Sequence, residues 1–532
     1  MPDTLTSALT RYYDAVPYDS HPFPQTAMEH LEALAFLFGL DAPPPEQARV
    51  LELGCASGGN LIPFAARHPR ARALGLDLSP VQIAQGHAHI AQVGLENVEL
   101  RAFDIASIDA SFGEFDCIVC HGVYSWVPGA VQDAILRVCS EHLAPNGVAY
   151  VSYNTYPGWK AREIVRDAMI LRGGPRDTPA EKLAYARGML EFLDQSARAD
   201  SVLKKTLEET LPIVRDGNSA YLLHEFLEPC NAPCYFKEFV ERAQAHGLAY
   251  LADAEPATMF VQNYGDKVRE PLLRECGGSQ VLMEQYLDFL VNRTFRQTLL
   301  VKSARAADIR YRLDASRLRA LEFAGVFSPT DGGAIRLDGP AQPCTAMRDL
   351  KVVLQHPWQR AVAQVLDARY PASVPFDDMV AAASAHADGL RDGTEANVLA
   401  MLEELLIMGA VRIRRSPPEL ASQVSSAPRA SAALRRSPGL ALEAGHDAAV
   451  CNAWHERTPL SVLERCLLPW LDGEHDHDAL LAHLSKLVRD GTLHLLRDGA
   501  PLAQDSPDAA AMLRQQLQDA LRDLRRKGLL IA

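Results

Sequence analysis

The chain has 532 residues, of which 48% are hydrophobic and 23% charged, and its formal net charge is −14. This length exceeds what one hydrophobic core holds and predicts about three or four units. The acidic balance disfavours nucleic acid as a partner and leaves room for a basic substrate such as a lysine-bearing protein or peptide. No apolar run reaches the length of a membrane span and no secretory signal is recognisable, so we expect a cytoplasmic protein without a membrane partner.

Strands and helices alternate between residues 48 and 153. Buried strands are predicted at ARVLELG, ARALGLD, VELRAFD, FDCIVCHG and GVAYVSY, and helices follow several of them. One helix, SPVQIAQGHAHIAQVG, begins with Ser79 as N-cap and Pro80 at its first position. This alternation predicts an α/β fold with a parallel, doubly wound, Rossmann-like sheet that binds its ligand at the carboxyl ends of the strands.

Small and acidic residues follow three of these strands. The first strand runs into the glycine-rich turn ELGCASGGN, whose pattern is Gly54, Ala56, Gly58 rather than G-x-G-x-x-G. Glu52 in this turn disfavours a pyrophosphate and suits a cationic ligand. Asp77 ends the second strand, where it can accept hydrogen bonds from ribose hydroxyls, and Asp104 ends the third, where it can meet an adenine amino group.

Together these strand ends resemble the class I S-adenosylmethionine-dependent methyltransferases over roughly residues 45–155. The family usually has glycine where this chain has Ala56. The alternatives are a fold that no longer binds cofactor and an NAD-binding domain, which the glycine spacing disfavours. The resemblance implies S-adenosyl-L-methionine as cofactor and no metal, with these cofactor-binding residues: Tyr18, Gln25, Glu52, Gly54, Cys55, Ala56, Gly58, Gly59, Asn60, Asp77, Leu78, Gln82, Asp104, Ile105, His121 and Gly122. For His121, a role as a base and a role as a backbone contact beside the cofactor are both open.

A narrower resemblance rests on stretches outside the glycine turn. They are YDAVPYDSHPFPQTAMEHLEALAFLFGL, CHGVYSWV, SYNTYPGWK, YLLHEFLEPCNAPCYFKEFVERAQAHGLAYL and FLVNRTFRQTLLVK. Together they are similar to bacterial methyltransferases that carry a methyltransferase regulatory domain. That group includes protein-lysine methyltransferases acting on outer-membrane proteins, so the resemblance implies a protein or peptide acceptor.

Aromatic residues cluster after the fourth and fifth strands. In a doubly wound methyltransferase these strand ends flank the reactive methyl group, so both runs are expected to line the acceptor channel. Aromatic walls there would orient an amine and exclude water, and in-line alignment of the amine would do most of the catalytic work. The alternative is that each ring caps the core. The predicted catalytic residues are Tyr124, Tyr153, Asn154, Tyr156 and Trp159.

The remaining sequence indicates mostly helical units. A helical insertion suits dimerisation or acceptor docking. One helix is expected to carry EQYLDFLVNRTFRQTLLV. Residues 350–415 suggest a winged helix that docks protein rather than DNA. A segment rich in Ser, Pro, Ala and Arg is interpreted as a mobile linker. The predicted units are an N-terminal cap over the cofactor site (1–42), the methyltransferase core (43–174), the insertion (175–230), the end of the core with the regulatory region (231–300), a middle domain (301–415), the linker (416–440) and a C-terminal helical module (441–532).

The favoured function is therefore methylation of lysine amines in a protein substrate. Two alternatives remain open from sequence alone. One is methylation of a small-molecule or polyketide-type acceptor, and the other is a non-catalytic adapter that keeps the fold. A homodimer is compatible with the insertion but is not required by it.

Overall fold

The structure is a computed structural model that describes residues 20–216, 219–228, 230–386, 393–441, 448–497, 500–501 and 507–532. Among these residues, no helix combines the length and the apolar character needed to cross a bilayer.

A seven-stranded sheet forms the centre of the molecule. Its strands in chain order are β1 (Arg49–Leu53), β2 (Arg72–Asp77), β3 (Val98–Ala102), β4 (Phe115–Cys120), β5 (Leu143–Asn154), β6 (Leu248–Asp253) and β7 (Phe295–Lys302). They lie in the order β3-β2-β1-β4-β5-β7-β6, and the first five are parallel. The predicted doubly wound sheet is confirmed.

The last strand corrects one prediction. Residues 284–301 were expected to form one helix, but a helix ends at Leu290 and β7 begins at Phe295. Asn292 adopts a positive φ of 50° between them, which a continuing helix does not allow. β7 is antiparallel to both neighbours, β5 and β6. β7 is mostly buried and pairs with a strand on each side. This explains why its apolar residues belong to the sheet rather than to a helix.

Helices cover both faces of the sheet. The N-terminal and core helices are α1 (Met28–Leu37), α2 (Leu61–Arg67), α3 (Pro80–Val93) and α4 (Gly129–His142). Ser79 caps α3 as predicted, because its side chain accepts a hydrogen bond from the backbone N–H of Gln82. Successive strand residues face opposite sides. Accordingly Val50 and Tyr150 belong to one apolar cluster and Leu51 and Tyr153 to another.

The predicted helical insertion has its own small core. It contains α6 (Pro179–Ser196), α7 (Val202–Asp216) and α8 (Ser219–Leu227). The preceding helix α5 (Gly158–Gly173), which was predicted to belong to the methyltransferase core, packs with them and is counted with the insertion below. Val165 and Met169 of α5 pack with Leu222 and Phe226 of α8 in this cluster. This cluster is separate from the two clusters on the faces of the sheet.

Further helices complete the sheet and the middle domain. They are α9 (Phe236–Ala245), α10 (Asp266–Glu275), α11 (Gln280–Leu290), α12 (Ala315–Arg319), α13 (Pro357–Arg369), α14 (Phe376–Ser384) and α15 (Thr394–Met408). The short strands of the middle domain are β8 (Glu322–Ala324), β9 (Ser328–Pro329), β10 (Gln342–Thr345), β11 (Lys351–Leu354), β12 (Val374–Pro375) and β13 (Arg412–Arg414). The three helices and the final strand predicted for residues 350–415 are therefore present, and β11 and β12 are two further strands that were not predicted.

The C-terminal module has a separate apolar cluster. Its elements are α16 (Ala432–Arg435), β14 (Ala449–Cys451), β15 (Arg457–Pro459), α17 (Val462–Leu467), α18 (His477–Arg489), β16 (Leu496–Arg497), β17 (Ala500–Pro501) and α19 (Pro507–Arg526). Part of the segment interpreted as a mobile linker packs on it. Ala430 is buried in this cluster and its N–H donates to the carbonyl of Leu471, while Arg429 forms bridges to Asp472 and Ile531.

Candidate active site

All five parallel strands end at one cavity of about 730 Å³. It lies where a doubly wound sheet is expected to bind its ligand. Twelve of the predicted cofactor residues line it, namely Glu52, Gly54, Cys55, Ala56, Asn60, Asp77, Leu78, Gln82, Asp104, Ile105, His121 and Gly122.

The glycine turn after β1 is shaped by two close approaches. Gly54 has a φ of +76°, and a Cβ there would lie 2.3 Å from a methyl carbon of Val123. Ala56 adopts a positive φ of 49°, and its backbone N–H donates to Asp77 Oδ2 at 2.9 Å. The hydrogen bond holds Ala56 in a backbone conformation that favours glycine, which is the residue the family usually has there.

Asp77 and Asp104 each order the backbone beyond their own strand. Asp77 Oδ1 accepts from the N–H of Ser79 at 2.9 Å, and Asp104 Oδ1 accepts from the N–H of Ala106 at 2.9 Å. Both residues also line the cavity. Their orientation is therefore fixed by the chain itself, which prepares them to meet a polar ligand without a large ordering cost.

A buried carboxyl group lies at the base of the turn. Asn60 Nδ2 donates to Glu52 Oε1 at 2.8 Å, whereas Glu52 Oε2 is buried and has no hydrogen-bond partner among the described residues. Burial raises the pKa of Glu52 to about 8; the Asn60 hydrogen bond lowers it, and the charge of Asp77 raises it further. An unpartnered buried acceptor of this kind favours a ligand that brings a donor or a positive charge.

Three predicted cofactor residues lie away from the cavity, and Tyr18 lies outside the described residues. Gln25 Nε2 instead donates to Glu255 Oε1 at 2.7 Å. A Cβ at Gly58 would meet the side chains of Ile62 and Leu100, so this glycine faces the core. Gly59 is covered by the preceding segment, because its N–H donates to Ser20 Oγ at 2.8 Å.

His121 is a buried, neutral group at the cavity wall. Its Nδ1 lies 2.8 Å from the hydroxyl of Tyr150, and its ring packs at a tilt of 33° against Phe23, with centroids 3.8 Å apart. Burial, with a smaller effect of His21, lowers the pKa of His121 to about 3. A group with this pKa is a weak base at neutral pH. The low pKa and the packing of the ring therefore favour the contact role of His121 over the role of a base.

The structure separates the predicted acceptor residues into two groups. Asn154 and Trp159 line the cavity. Tyr124, Tyr153 and Tyr156 are not among its lining residues. Strand alternation turns Tyr153 to the other face, where its ring stacks on Phe239 at 4.1 Å and its hydroxyl lies 3.0 Å from Thr298 Oγ1.

The other two tyrosines are also engaged elsewhere. Tyr124 is fully buried and packs edge-on against Phe239, with ring centroids 5.2 Å apart. The hydroxyl of Tyr156 donates to Glu163 Oε1 at 2.6 Å, and Lys160 Nζ lies 3.7 Å above its ring. The core-capping alternative therefore describes the positions of Tyr124 and Tyr153, whereas Tyr156 belongs to the start of α5.

Several lining residues were missed by sequence reasoning. Trp126 lies within the CHGVYSWV stretch, and its ring meets Trp159 edge-on at 6.1 Å. Val123 and Val127 belong to the same stretch, which was expected to line the acceptor channel although none of these three residues was named as a site residue. Most of the others come from segments in which no local pattern marks a lining residue. The missed residues are Ser20, His21, Phe23, Ser79, Phe103, Val123, Trp126, Val127, Pro128, Ala130, Val131, Arg162, His224, Glu225, Thr294 and Phe295.

Comparison with protein families accounts for three parts of the chain. A methyltransferase domain matches residues 51–149, a predicted methyltransferase regulatory domain matches residues 218–302, and the C-terminal winged helix domain of PKMT matches residues 427–529. The last match includes part of the predicted linker and the C-terminal module. It lies after residues 350–415, the stretch for which a winged helix was predicted.

Similar proteins extend over almost the whole chain. An uncharacterised protein of Rickettsia prowazekii is 32% identical over 500 residues, which are 92% of this chain and 88% of that protein. The structure of PKMT2 from Rickettsia typhi is 28% identical, covers 97% of this chain and 100% of its own, and has a TM-score of 0.86. PKMT2 in complex with AdoHcy gives a TM-score of 0.85 with the same coverage.

The sheet order and the cavity at its strand ends define a class I methyltransferase that uses S-adenosyl-L-methionine as cofactor. The chain belongs to the family of these enzymes that carries a methyltransferase regulatory domain and a PKMT winged helix domain. The site suits this cofactor, because the unpartnered Glu52 oxygen matches its cationic character and the two aspartates match its hydroxyl and amino groups.

Proposed function

We propose that this methyltransferase acts on lysine side-chain amines of a protein substrate by in-line transfer. The observation that carries the proposal is the composition of one cavity wall, where Asn154, Trp126 and Trp159 lie with Arg162 and Glu225 of the helical insertion. S-adenosylmethionine supplies a methyl group on a cationic sulfur. The protein has to bring an uncharged nucleophile to that methyl group and keep water away.

Asn154 is suited to hold the nucleophile. It is buried, its backbone N–H donates to Ser125 Oγ at 2.8 Å, and its Nδ2 donates to Asn231 Oδ1 at 3.1 Å. These two hydrogen bonds fix the amide, and no hydrogen bond to another described residue is assigned to its Oδ1. A fixed carbonyl oxygen at the cavity wall can accept from an amine and align its lone pair, which is the main contribution that positioning makes to a displacement.

The surroundings favour a neutral amine over an ammonium ion. Two indole rings limit the access of water, and the guanidinium of Arg162 adds a like charge near the same wall. Desolvation and a nearby positive charge both lower the pKa of an amine. A lysine that enters this wall is therefore expected to give up its proton more readily than in water.

Glu225 is the proposed acceptor of that proton. It lies on α8, whose residues Leu222 and Phe226 are buried in the insertion, so Glu225 faces the cavity. Burial raises the pKa of Glu225, and the charges of Arg162 and Arg166 partly oppose this effect. A raised pKa makes the carboxylate a stronger base, as general base catalysis requires.

The comparisons beyond the methyltransferase core support a protein acceptor over a small molecule. The PKMT winged helix domain and the PKMT2 structures match parts of this chain well beyond the methyltransferase core. In addition, the acceptor wall depends on the insertion and on the regulatory domain that begins at residue 218. A small acceptor would need neither the insertion nor the large C-terminal part.

The experiment uses a labelled methyl donor and two peptides that differ only in one lysine, which is arginine in the second peptide. We expect transfer to the lysine peptide alone, and a Glu225→Gln variant should transfer at least about tenfold more slowly at pH 7. This deficit should shrink at higher pH, where more lysine is already neutral. Glu191→Gln, which changes an exposed glutamate of α6, is the matched control. Equal labelling of both peptides, or an unchanged rate with Glu225→Gln, would reject the proposal.

A further inference from the structure

The C-terminal module reaches the methyltransferase core through the loop between β14 and β15. This loop carries His455, which is buried and adopts a φ of +59°. The loop is firmly held: the N–H of His455 donates to the carbonyl of Asn452 at 3.1 Å, and Trp454 Nε1 donates to the carbonyl of Pro371 at 2.8 Å. His455 therefore has a defined position against the core.

The hydrogen bonds of His455 assign its protons. Arg67 Nη2 lies 2.8 Å from His455 Nδ1, and because a guanidinium only donates, Nδ1 is the acceptor. The proton of the neutral ring is then on Nε2, which donates to Asn60 Oδ1 at 2.8 Å. Burial, with the charge of Arg67, lowers the pKa of His455 to about 3, so the ring keeps this arrangement at neutral pH.

Asn60 connects His455 to the cofactor cavity. Its Oδ1 also accepts from the N–H of Phe23 at 3.0 Å, and the hydroxyl of Thr26 lies 3.0 Å from the same oxygen. The donors from His455 and Phe23 fix the orientation of the amide, so that its Nδ2 points to Glu52 Oε1 at 2.8 Å. The other oxygen of Glu52 remains available to the ligand.

The same histidine holds both ends of α2. Asn60 immediately precedes this helix, and Arg67 is its last residue. Arg67 is itself held by Glu29, with Nε 3.2 Å from Oε1. Since α2 follows the glycine turn directly, the position of this turn depends on contacts made by a residue nearly 400 positions away.

We infer that His455 is a positioning residue for the cofactor: through Asn60 it fixes the carboxyl group of Glu52, and the C-terminal module thereby completes the cofactor site. The inference does not depend on which acceptor is methylated. It predicts that this methyltransferase core needs its C-terminal module to bind cofactor tightly, although none of the described residues of that module lines the cavity.

The test measures binding of S-adenosylhomocysteine by calorimetry, together with the melting temperature of each variant. His455→Ala removes both hydrogen bonds and should weaken binding by about tenfold. His455→Gln offers one donor and one acceptor in their place and should restore most of the affinity. His483→Ala is the matched control, because the ring of His483 stacks on Trp470 and its Nε2 lies 3.2 Å from the carbonyl of Cys466, both within the same module.

A double-mutant cycle separates positioning from general loosening. If His455 acts through Glu52, then His455→Ala should have little further effect on binding in a Glu52→Gln background. Unchanged affinity in folded His455→Ala, or an equal loss in His483→Ala, would overturn the inference. So would full additivity in the cycle. If the alanine variant does not fold, His455→Leu, which keeps the bulk of the side chain, takes its place in every comparison.

Discussion

The carboxyl group of Glu52 is buried, and one of its oxygens is available to the ligand. We therefore expect cofactor binding to depend on pH. In the folded protein the pKa of Glu52 is raised to about 8, above the ordinary value of about 4.3. At a pH between these two pKa values, Glu52 is protonated in the ligand-free folded protein and ionised in the unfolded chain. The stability of the ligand-free protein should therefore fall as pH rises through this window.

Binding should respond in the opposite direction. A ligand that brings a positive charge to Glu52 favours the carboxylate, so binding below pH 8 should release a proton and tighten as pH rises toward 8. Calorimetry of S-adenosylmethionine at pH 6.5, without acceptor and in two buffers of different ionisation enthalpy, measures the released proton. Glu52→Gln should bind without that release. The same proton count in the variant would show that another group is responsible.

Tyr153 and Asn154 are neighbours in sequence with different expected roles. Tyr153→Phe removes the contact between its hydroxyl and Thr298 and should cost about 1 kcal/mol of unfolding free energy, with normal turnover per folded molecule. Asn154→Ala should leave cofactor affinity unchanged and slow the transfer step. Thermal melts, binding titrations and single-turnover assays distinguish the two. If Tyr153→Phe has normal stability but slow transfer, Tyr153 contributes to the acceptor channel after all.

At the scale of elements, the insertion presents apolar side chains to solvent. Leu171 of α5 is 72% exposed, Phe192 of α6 is 59% exposed and Val202 of α7 is 69% exposed. Exposed large apolar residues on neighbouring helices are typical of contact surfaces. This supports the expectation that the insertion meets a second copy or the acceptor, while its α8 also borders the active site.

The corresponding variant is Leu171→Asp combined with Phe192→Asp. If the surface joins two copies, light scattering should show a halved mass, because buried charges without partners disfavour association. If it binds the acceptor, the mass should stay constant and protein methylation should fall, while a short lysine peptide is still methylated. Tyr286→Asp changes an exposed aromatic residue outside the insertion and serves as control. No change in mass or in protein methylation would contradict the expectation.

Elements with a local sequence pattern could be predicted, whereas side chains that reach their position through packing of distant segments could not. The strand ends carrying Glu52, Asp77 and Asp104 meet because parallel strands place their carboxyl ends at one edge. Glu225 reaches the cavity and His455 reaches Asn60 through the packing of helices and loops far along the chain. No local sequence pattern indicates such contacts. Tyr153 was assigned to the channel although strand alternation already separates it from Asn154. β7 was missed because its partners β5 and β6, rather than its own period, make it a strand.

At the scale of the whole molecule, the middle domain and the C-terminal module belong to different apolar clusters. One apolar cluster runs from α1 and one face of the sheet into the middle domain, where it includes Phe323, Leu366 and Leu402. The C-terminal module has a different cluster, which includes Leu484 and Leu521. Because residues of one continuous core unfold together, the middle domain should melt with the sheet and the C-terminal module should form a separate unit.

Scanning calorimetry of two core variants tests this division. Leu402→Ala and Leu484→Ala each remove a fully buried leucine and should cost about 2–5 kcal/mol. Leu402→Ala should lower the same transition that S-adenosylhomocysteine raises, because the cofactor site and the middle domain share one core. Leu484→Ala should lower the other transition and, by weakening the hold of His455 on Asn60, should also reduce the shift that the ligand produces. If Leu402→Ala leaves the ligand-responsive transition in place, the middle domain folds independently, and the continuous core does not act as one unit.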